Sequence, residues 1–547
     1  MVISLRTNPG RQQPEVHLFL SMMLTDETRL APRVTPALLR SLEARIDVQA
    51  DREQIPVFAP FTLDQIGSVP QALDHDITNA VAASRQAQTS WEQLSPGTRG
   101  RIFIRFHDLL IDRAEEAMDL VQLEAGKARV PAFEEVYDTV GTTRYYANTA
   151  PGLLRRRRRR VSLPLLTKAY EYKHPHGVVG FITPWNFPFT LGISDAIPAL
   201  LAGNGALIKP DEKTPYSTLY VVSLLEEAGL PEGLIQVVTG RGELIGPSIV
   251  DAVDFIMFTG STAVGRLIAE QAGRRMIGTS MELGGKNAAI VLADADLDKA
   301  VPGIIRAVYA NGGQLCIAAE RIYVEEGILG EFTERFVNAV GELDLSVGYE
   351  FPGIMSSMIT QGHLDDVHRH VEDAVARGAK LLAGGKPRPD VGPLVYAPTV
   401  LTDVDESMEV CRTETFGPVV SIYGVPDAET AIQKANDSHL GLNLSVWTRN
   451  TRAGVELAAR LEAGTVGVND GYAATWSSYD APMGGMKASG LSRRHGSEGI
   501  LKYTDPQTIA VQHLIPAFAP PGGMSYDRYR VLLGKALKLL RRMPFYK

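Results

Sequence analysis

The chain has 547 residues, more than one hydrophobic core usually serves, so two or three domains are expected. Hydrophobic residues make up 45% and charged residues 22%, an ordinary globular balance, and a net charge of −8 argues against a nucleic-acid partner, whose binders are usually basic. Two cysteines cannot build a disulfide framework or a cysteine-based zinc site, and no H-E-x-x-H spacing occurs, so no metal and a cytoplasmic location are expected.

In chain order, "VHLFLSMML" (16–24) is a short apolar run without a small-residue cleavage site. That disfavours a secretory signal; the alternative is a start at Met22 or Met23. No run reaches the roughly 18 apolar residues of a membrane span. From Ile77 to Tyr146 apolar residues recur at three- and four-residue steps, which predicts helices. "RRRRRR" (155–160) reads as a solvated face, with a patch for anionic surfaces as the alternative.

Short apolar runs then alternate with helical stretches. "GVVGFIT" (177–183), "GALIKP" (205–210), "LIQVVTG" (234–240) and "DFIMFTG" (254–260) predict buried strands of a parallel sheet covered on both faces. "NAAIVLADADLDKA" (287–300), "RIYVEE" (321–326), "VVSIYGV" (419–425) and "GTVGVND" (464–470) predict a second α/β block, with a boundary near residue 285. "YRVLLGKALKLLRRMPFYK" (529–547) predicts a basic amphipathic helix, with Leu533, Leu537 and Leu540 against Lys535, Lys538, Arg541 and Arg542. Docking on its own oligomer is the preferred role for it, and contact with a membrane surface the alternative.

Several residues stand where chemistry is served. In "FTGSTAVG", Gly260 and Gly265 lie at a strand-to-helix turn, where free N–H groups and the helix dipole favour a phosphate; turn chemistry alone explains them equally. In "IKPDEKTP" (208–215), Glu212 beside Lys209 suits a nucleotide ribose, or is simply a charge near a helix start. In "ITPWNFP" (182–188) two prolines hold Asn186, whose amide can donate to an oxyanion; a plain turn is the alternative. "MELGGKN" (281–287) and "TETFGPVV" (413–420) offer Glu282, Glu414 and Phe416. In "NGGQLCIAAER" (311–321), Cys316 follows small and polar positions rather than an apolar run, which points to a reacting thiol. Cys411 has no such setting and is assigned no role.

Together with "PMGGMKASG" (482–490), these segments resemble the aldehyde dehydrogenase superfamily, in its order, over residues 177 to 490, and more weakly from about 57 to 513. The resemblance implies an α/β fold: a Rossmann-type parallel-sheet cofactor domain (57–160 and 177–284), a second α/β catalytic domain (285–498) and a small β oligomerisation arm (161–176 and 499–513). An N-terminal segment (1–56) and the basic tail (514–547) lie outside. It further implies that Cys316 is the nucleophile, that Asn186 and the Cys316 N–H hold the oxyanion, and that Glu282 activates water. Ile182, Thr183, Pro184, Trp185, Lys209, Glu212, Gly260, Ser261, Gly265, Leu283, Glu414 and Phe416 are the implied cofactor residues. Phe187, Leu315, Ile317, Tyr472 and Trp476 are expected around the substrate. A homodimer or homotetramer is implied, in which residues 161–176 pair with strands near 500–513 of a neighbour.

Glu212 favours free ribose hydroxyls, so NAD is preferred to NADP, although Lys209 and Lys213 offset that preference. "FEEVYD" (133–138) and the stretch 481–508 resemble the bacterial succinate-semialdehyde dehydrogenase branch. That branch implies oxidation of succinate semialdehyde to succinate. Its tunnel arginines are missing from 189–200 and 307–313, which leaves Arg493 and Arg494 as candidate cations and a larger aromatic or aliphatic aldehyde as the competing substrate. Glu282 argues against an acylating relative that passes its product to coenzyme A. The presence of Cys316, Asn186 and Glu282 together argues against a catalytically silent structural relative.

Overall fold

The computed structural model describes residues 29–48, 51–163, 166–345, 347–513 and 518–542. The apolar run at 16–24 and the alternative starts at Met22 and Met23 lie outside them.

The first sheet has six strands, in the spatial order Gly490–Leu491, Gly278–Glu282, Phe255–Thr259, Val178–Ile182, Gly205–Lys209 and Ile235–Val237. Its core strands are parallel and the outermost, Gly490–Leu491, is antiparallel. Every residue of Val178–Ile182 and of Gly205–Lys209 is buried, as unbroken apolar runs require when helices cover both faces. The antiparallel edge brings a late segment home: Gly490 sits opposite Glu282, and Leu491 opposite Met281.

The second sheet has seven strands, with Asn287–Val291 between Ala319–Glu325 and Asn443–Trp447. The two sheets and their helices form the α/β architecture expected from the alternating pattern. Helices Asp74–Trp91, Pro96–Asp112, Ala114–Ala125 and Arg129–Leu154 fill the stretch where the three- and four-residue spacing predicts them.

Residues 29–58 are more than a leading segment. Helix Pro36–Glu43 packs against helix Pro215–Glu227, and strand Gln54–Phe58 pairs with Gln65–Pro70.

The arm corrects one expectation. Strand Thr167–Pro175 pairs antiparallel with Thr504–Gln512 of the same chain, not of a neighbour, with Thr504 opposite Pro175 and Gln512 opposite Thr167. Asn204 explains why: its Oδ1 accepts from the Gly177 N–H at 3.1 Å, and its Nδ2 donates to the Tyr503 carbonyl at 3.1 Å. Both strands therefore leave the body from one clamp. Part of the arginine run, Arg157–Arg159, forms the third strand of this arm.

Candidate active site

Cys316 owes its place to a strained turn. Helix Leu297–Tyr309 runs into a short 3-10 turn, Ala310–Gly313, in which Asn311, Gly312 and Gly313 have φ of 55°, 64° and 73°. Such angles suit glycine. At Gly313 a side chain is also excluded by space, since a Cβ would lie 2.1 Å from the Gly417 carbonyl oxygen. Gln314 lashes the turn down: its amide donates to the carbonyls of Asn311 (3.0 Å) and Ser357 (2.9 Å) and accepts from the Ile359 N–H at 3.0 Å. Asn287 Nδ2 donates to the Cys316 carbonyl at 2.7 Å. The backbone is fixed, and Leu315 and Ile317 are buried on either side of a half-buried thiol.

Cys316 lines one cavity, and its neighbours Leu315 and Ile317 line a second. The first, of about 260 Å³, is lined by Cys316, Asn186 and Glu282 together with the expected cofactor residues Pro184, Trp185, Gly260, Ser261, Leu283, Glu414 and Phe416. The second, of about 230 Å³, is lined by Phe187, Leu315, Ile317, Tyr472 and Trp476, with Phe133, Glu134, Asp138 and Arg306 among the remainder.

Five expected cofactor residues, Ile182, Thr183, Lys209, Glu212 and Gly265, do not line the first cavity. Thr183 follows the strand ending at Ile182 and its N–H donates to the Lys209 carbonyl at 3.0 Å. Lys209 Nζ pairs with Glu212 at 3.1 Å. Burial works against ionised Glu212, but Lys209 and Lys213 together hold its carboxyl below the usual range. Gly265 lines an adjoining cavity that shares Leu283, whose Cδ2 would lie 2.5 Å from a Cβ at Gly265.

These residues fit a dinucleotide. Ser261 caps helix Thr262–Arg275, its hydroxyl accepting from the Val264 N–H at 3.3 Å, so the free N–H groups of a 14-residue helix open on the cavity wall. The Thr183 hydroxyl is buried and has no hydrogen-bond partner among the described residues. Glu414 accepts from the Gly285 N–H at 2.9 Å, and its closeness explains Gly284, where a Cβ would meet Glu414 Oε2 at 2.2 Å. Burial and neighbouring Glu320 push the Glu414 carboxyl up to about 8. Phe416, held at a φ of 53°, meets Trp185 edge-on with ring centres 5.6 Å apart.

Electrostatics differ between Cys316 and Glu282. Burial pushes the Cys316 thiol up to about 12; Arg494 opposes this and the Glu414 and Glu282 carboxylates reinforce it. Burial also pushes Glu282 up to about 7, against the pull of Arg494 and Lys502. Asn186 is buried, and its Nδ2 donates to the Gln314 carbonyl at 3.0 Å, which ties the "ITPWNFP" turn to the thiol turn.

Behind Glu282 lies a buried cluster that motif reading missed. Arg494 Nη2 is 3.1 Å from Asp195 Oδ2, Arg494 Nε is 3.9 Å from Glu282 Oε1, and Lys502 Nζ is 3.6 Å from Asp195 Oδ1. Arg494 is thus engaged with protein carboxylates. Arg493 donates to the carbonyls of Gly485 (2.8 Å) and Ser492 (2.7 Å). Neither lines the second cavity, so neither serves as the expected tunnel cation.

Among the described residues around that cavity the cation is Arg306, one position before the segment searched for an arginine. It pairs with Glu134, and its guanidinium lies 5.8 Å from the centre of the Tyr472 ring. Tyr472 donates to the other oxygen of Glu134 at 2.9 Å. Asp138 lines the same cavity, takes a 2.6 Å hydrogen bond from Thr190, and is pushed by burial up to about 6.

Comparison with known proteins agrees with this geometry. The model of the aldehyde dehydrogenase family matches residues 48–509. A Mycobacterium ulcerans protein named "Putative succinate-semialdehyde dehydrogenase [NADP(+)] 2" is 48% identical over 506 residues, 92% of this chain and 97% of the relative. The mitochondrial succinate-semialdehyde dehydrogenase of Arabidopsis thaliana is 37% identical over 465 residues, 84% of this chain and 87% of its own length. The crystal structure of succinate-semialdehyde dehydrogenase from Burkholderia pseudomallei superposes with a TM-score of 0.80 at 33% identity, covering 84% of this chain and 95% of that one. With a family match that takes in the thiol turn, both cavities and most of the arm, this chain belongs to the aldehyde dehydrogenase family.

Proposed function

We propose that this family member, which oxidises an aldehyde to its carboxylic acid, acts on an aldehyde with a distal carboxylate, succinate semialdehyde foremost, and that Cys316, Asn186 and Glu282 carry the chemistry. The observation that supports the site assignment is that Cys316 lines a cavity with dinucleotide-binding features, while its neighbours Leu315 and Ile317 line one walled by aromatic and aliphatic side chains.

The Cys316 sulfur, once deprotonated, forms a bond to the aldehyde carbon, and the carbonyl oxygen takes the charge. The Asn186 amide and the Cys316 N–H hold that oxyanion. NAD(P)+, when bound beside Trp185 and Phe416, supplies the acceptor for the hydride that leaves this carbon. Cys316 then carries a thioester. Glu282, poised near neutrality by burial, takes a proton from a water that attacks the thioester carbonyl. The carbon–sulfur bond breaks, the acid leaves, and the thiol is restored. Burial favours the protonated thiol of Cys316 and Arg494 favours its thiolate.

Two features support the semialdehyde. The relatives carry that name, and Arg306 presents a guanidinium braced by Glu134 on the wall of the second cavity. Aromatic Phe133, Phe187, Tyr472 and Trp476, with the Asp138 carboxyl, favour a second reading, a larger aromatic or aliphatic aldehyde. NADP+ is the proposed cofactor. The M. ulcerans relative's name includes it, and Lys209 and Lys213 flank Glu212, which removes the repulsion that a lone carboxylate would exert on a 2′-phosphate. The β arm and the family support a homo-oligomer, and the cysteine usage a cytoplasmic site. Rates with succinate semialdehyde, hexanal and a benzaldehyde, each with NAD+ and NADP+, test the reading. A semialdehyde preference above about tenfold supports it, and a neutral aldehyde winning turns the assignment to the second reading.

A further inference from the structure

The family match ends at residue 509, yet the chain continues into helix Tyr526–Leu540. Ser525 caps it, its hydroxyl accepting from the Arg528 N–H at 3.4 Å. At about 100° per residue, Tyr529, Leu533, Ala536 and Leu540 fall on one line, with Leu532, Leu537 and Leu539 flanking it. Arg528, Arg530, Lys535, Lys538, Arg541 and Arg542 take the opposite half, against the single acid Asp527.

A helix of this pattern normally hides its apolar face against its own protein. This one hides only the middle of it: Tyr529 is buried and Leu533 and Leu540 are half-buried, while the leucines flanking that line stay exposed. Leu532, Leu537 and Leu539 are 46%, 42% and 63% exposed, Tyr526 is 68% exposed, and Tyr529 is the buried residue among those of the helix. Nearby Phe518 is 73% exposed. The charge is also inverted with respect to the rest of the molecule: this short stretch is strongly cationic in a chain whose net charge is −8.

We propose that helix Tyr526–Leu540 lies flat on an anionic lipid surface. Leucines 532, 537 and 539 enter the boundary between headgroups and acyl chains, and the basic half meets the headgroups. Fifteen residues span about 22 Å, shorter than a bilayer core of about 30 Å, and cations recur along the whole length, so the helix rests in the interface plane rather than crossing it. Charge decides for lipid over a second copy. One face of anionic headgroups matches six cations spread over half a helix, whatever the arrangement of acidic side chains on the protein. The inference does not depend on which aldehyde is oxidised.

The test uses the full chain, co-sedimented with vesicles of phosphatidylcholine alone and of phosphatidylcholine with about a third phosphatidylglycerol, at low and high ionic strength. The expected result is binding to the anionic vesicles at least about tenfold stronger than to the neutral ones, reversed by salt. Triple substitution Leu532→Ser, Leu537→Ser and Leu539→Ser should abolish binding while aldehyde turnover and elution volume on gel filtration stay unchanged. No sedimentation with the anionic vesicles would overturn the proposal. So would a smaller assembly in the triple variant, which would show that the helix seats on a second copy of this chain.

Discussion

Glu282 Oε1 and Arg494 Nε stand 3.9 Å apart, both buried, and among the described residues neither atom has a hydrogen-bond partner. They are too far apart to bond, and with both buried the charge on Glu282 responds strongly to the cluster. Facing the carboxyl are Arg494, Lys502 and Arg493, with Asp195 opposing them. The cluster exists because strand Gly490–Leu491 folds back on Gly278–Glu282.

Arg494→Met removes the largest cationic influence on Glu282 and leaves Asp195 buried with Lys502 as its remaining cation. The Glu282 carboxyl then rises above about 7, so the alkaline-going limb of the pH–rate profile for thioester hydrolysis should move to higher pH. Removing one partner of a buried pair should also cost roughly 3–5 kcal/mol of stability. Arg494→Lys should recover part of both. Stopped-flow hydrolysis across pH and thermal unfolding check this; an unmoved limb would detach Arg494 from Glu282.

Glu282→Gln should leave acylation in place and stop the release step, giving a burst of reduced cofactor stoichiometric with enzyme and then a slow phase. The same variant tests the burial argument by stability. The folded carboxyl titrates near 7 and an unfolded one near 4.5, so ionisation penalises the native state increasingly as pH rises through that window, and not below it. Gln at this position should therefore stabilise the protein at pH 8 by on the order of 3 kcal/mol relative to wild type, and by almost nothing near pH 4. Denaturant midpoints at the two pH values measure the difference.

Much of this site is legible in the sequence, and the reasons are local. Cys316 and Glu282 lie in short motifs whose glycines have a steric cause, seen at Gly313 against Gly417 and at Gly284 against Glu414, and Asn186 lies in one held between two prolines. The run "GVVGFIT" implies a buried parallel strand because nothing polar interrupts it. What escapes sequence reading depends on long-range pairing. Arg494 belongs to Glu282 through the return of Gly490–Leu491 to the first sheet, and the arm closes within the chain through the long-range pairing of Thr167–Pro175 with Thr504–Gln512, with Asn204 bridging their bases. Arg306 escapes for a different reason: it lies one position before the stretch 307–313, and it is the packing of its helix against Tyr472 and Glu134 that brings it to the second cavity.

Arg306→Gln should raise KM for succinate semialdehyde about tenfold or more and leave a neutral aldehyde of similar length within about twofold. A guanidinium has five N–H donors, and Glu134 occupies only part of that fork, so a second carboxylate can dock on the rest. Steady-state kinetics with the two substrates checks it. Equal losses for both would show that Arg306 only supports the cavity wall.

Gly313→Ala should damage activity more than most single methyl additions. Its φ of 73° disfavours a side chain, and the new Cβ would press on the Gly417 carbonyl. The strain, on the order of 1–3 kcal/mol, falls on the turn that carries Cys316, so kcat should drop together with the melting temperature. Circular dichroism melting and kcat for one aldehyde give both numbers.

The most direct measurement is the intact and peptide mass of Glu282→Gln after mixing with succinate semialdehyde and NADP+. A covalent acyl adduct on the peptide containing Cys316, absent when Cys316 is also replaced by Ala, is what this account predicts. An unmodified Cys316 under conditions where reduced cofactor still forms, or an adduct on Cys411 instead, would contradict it.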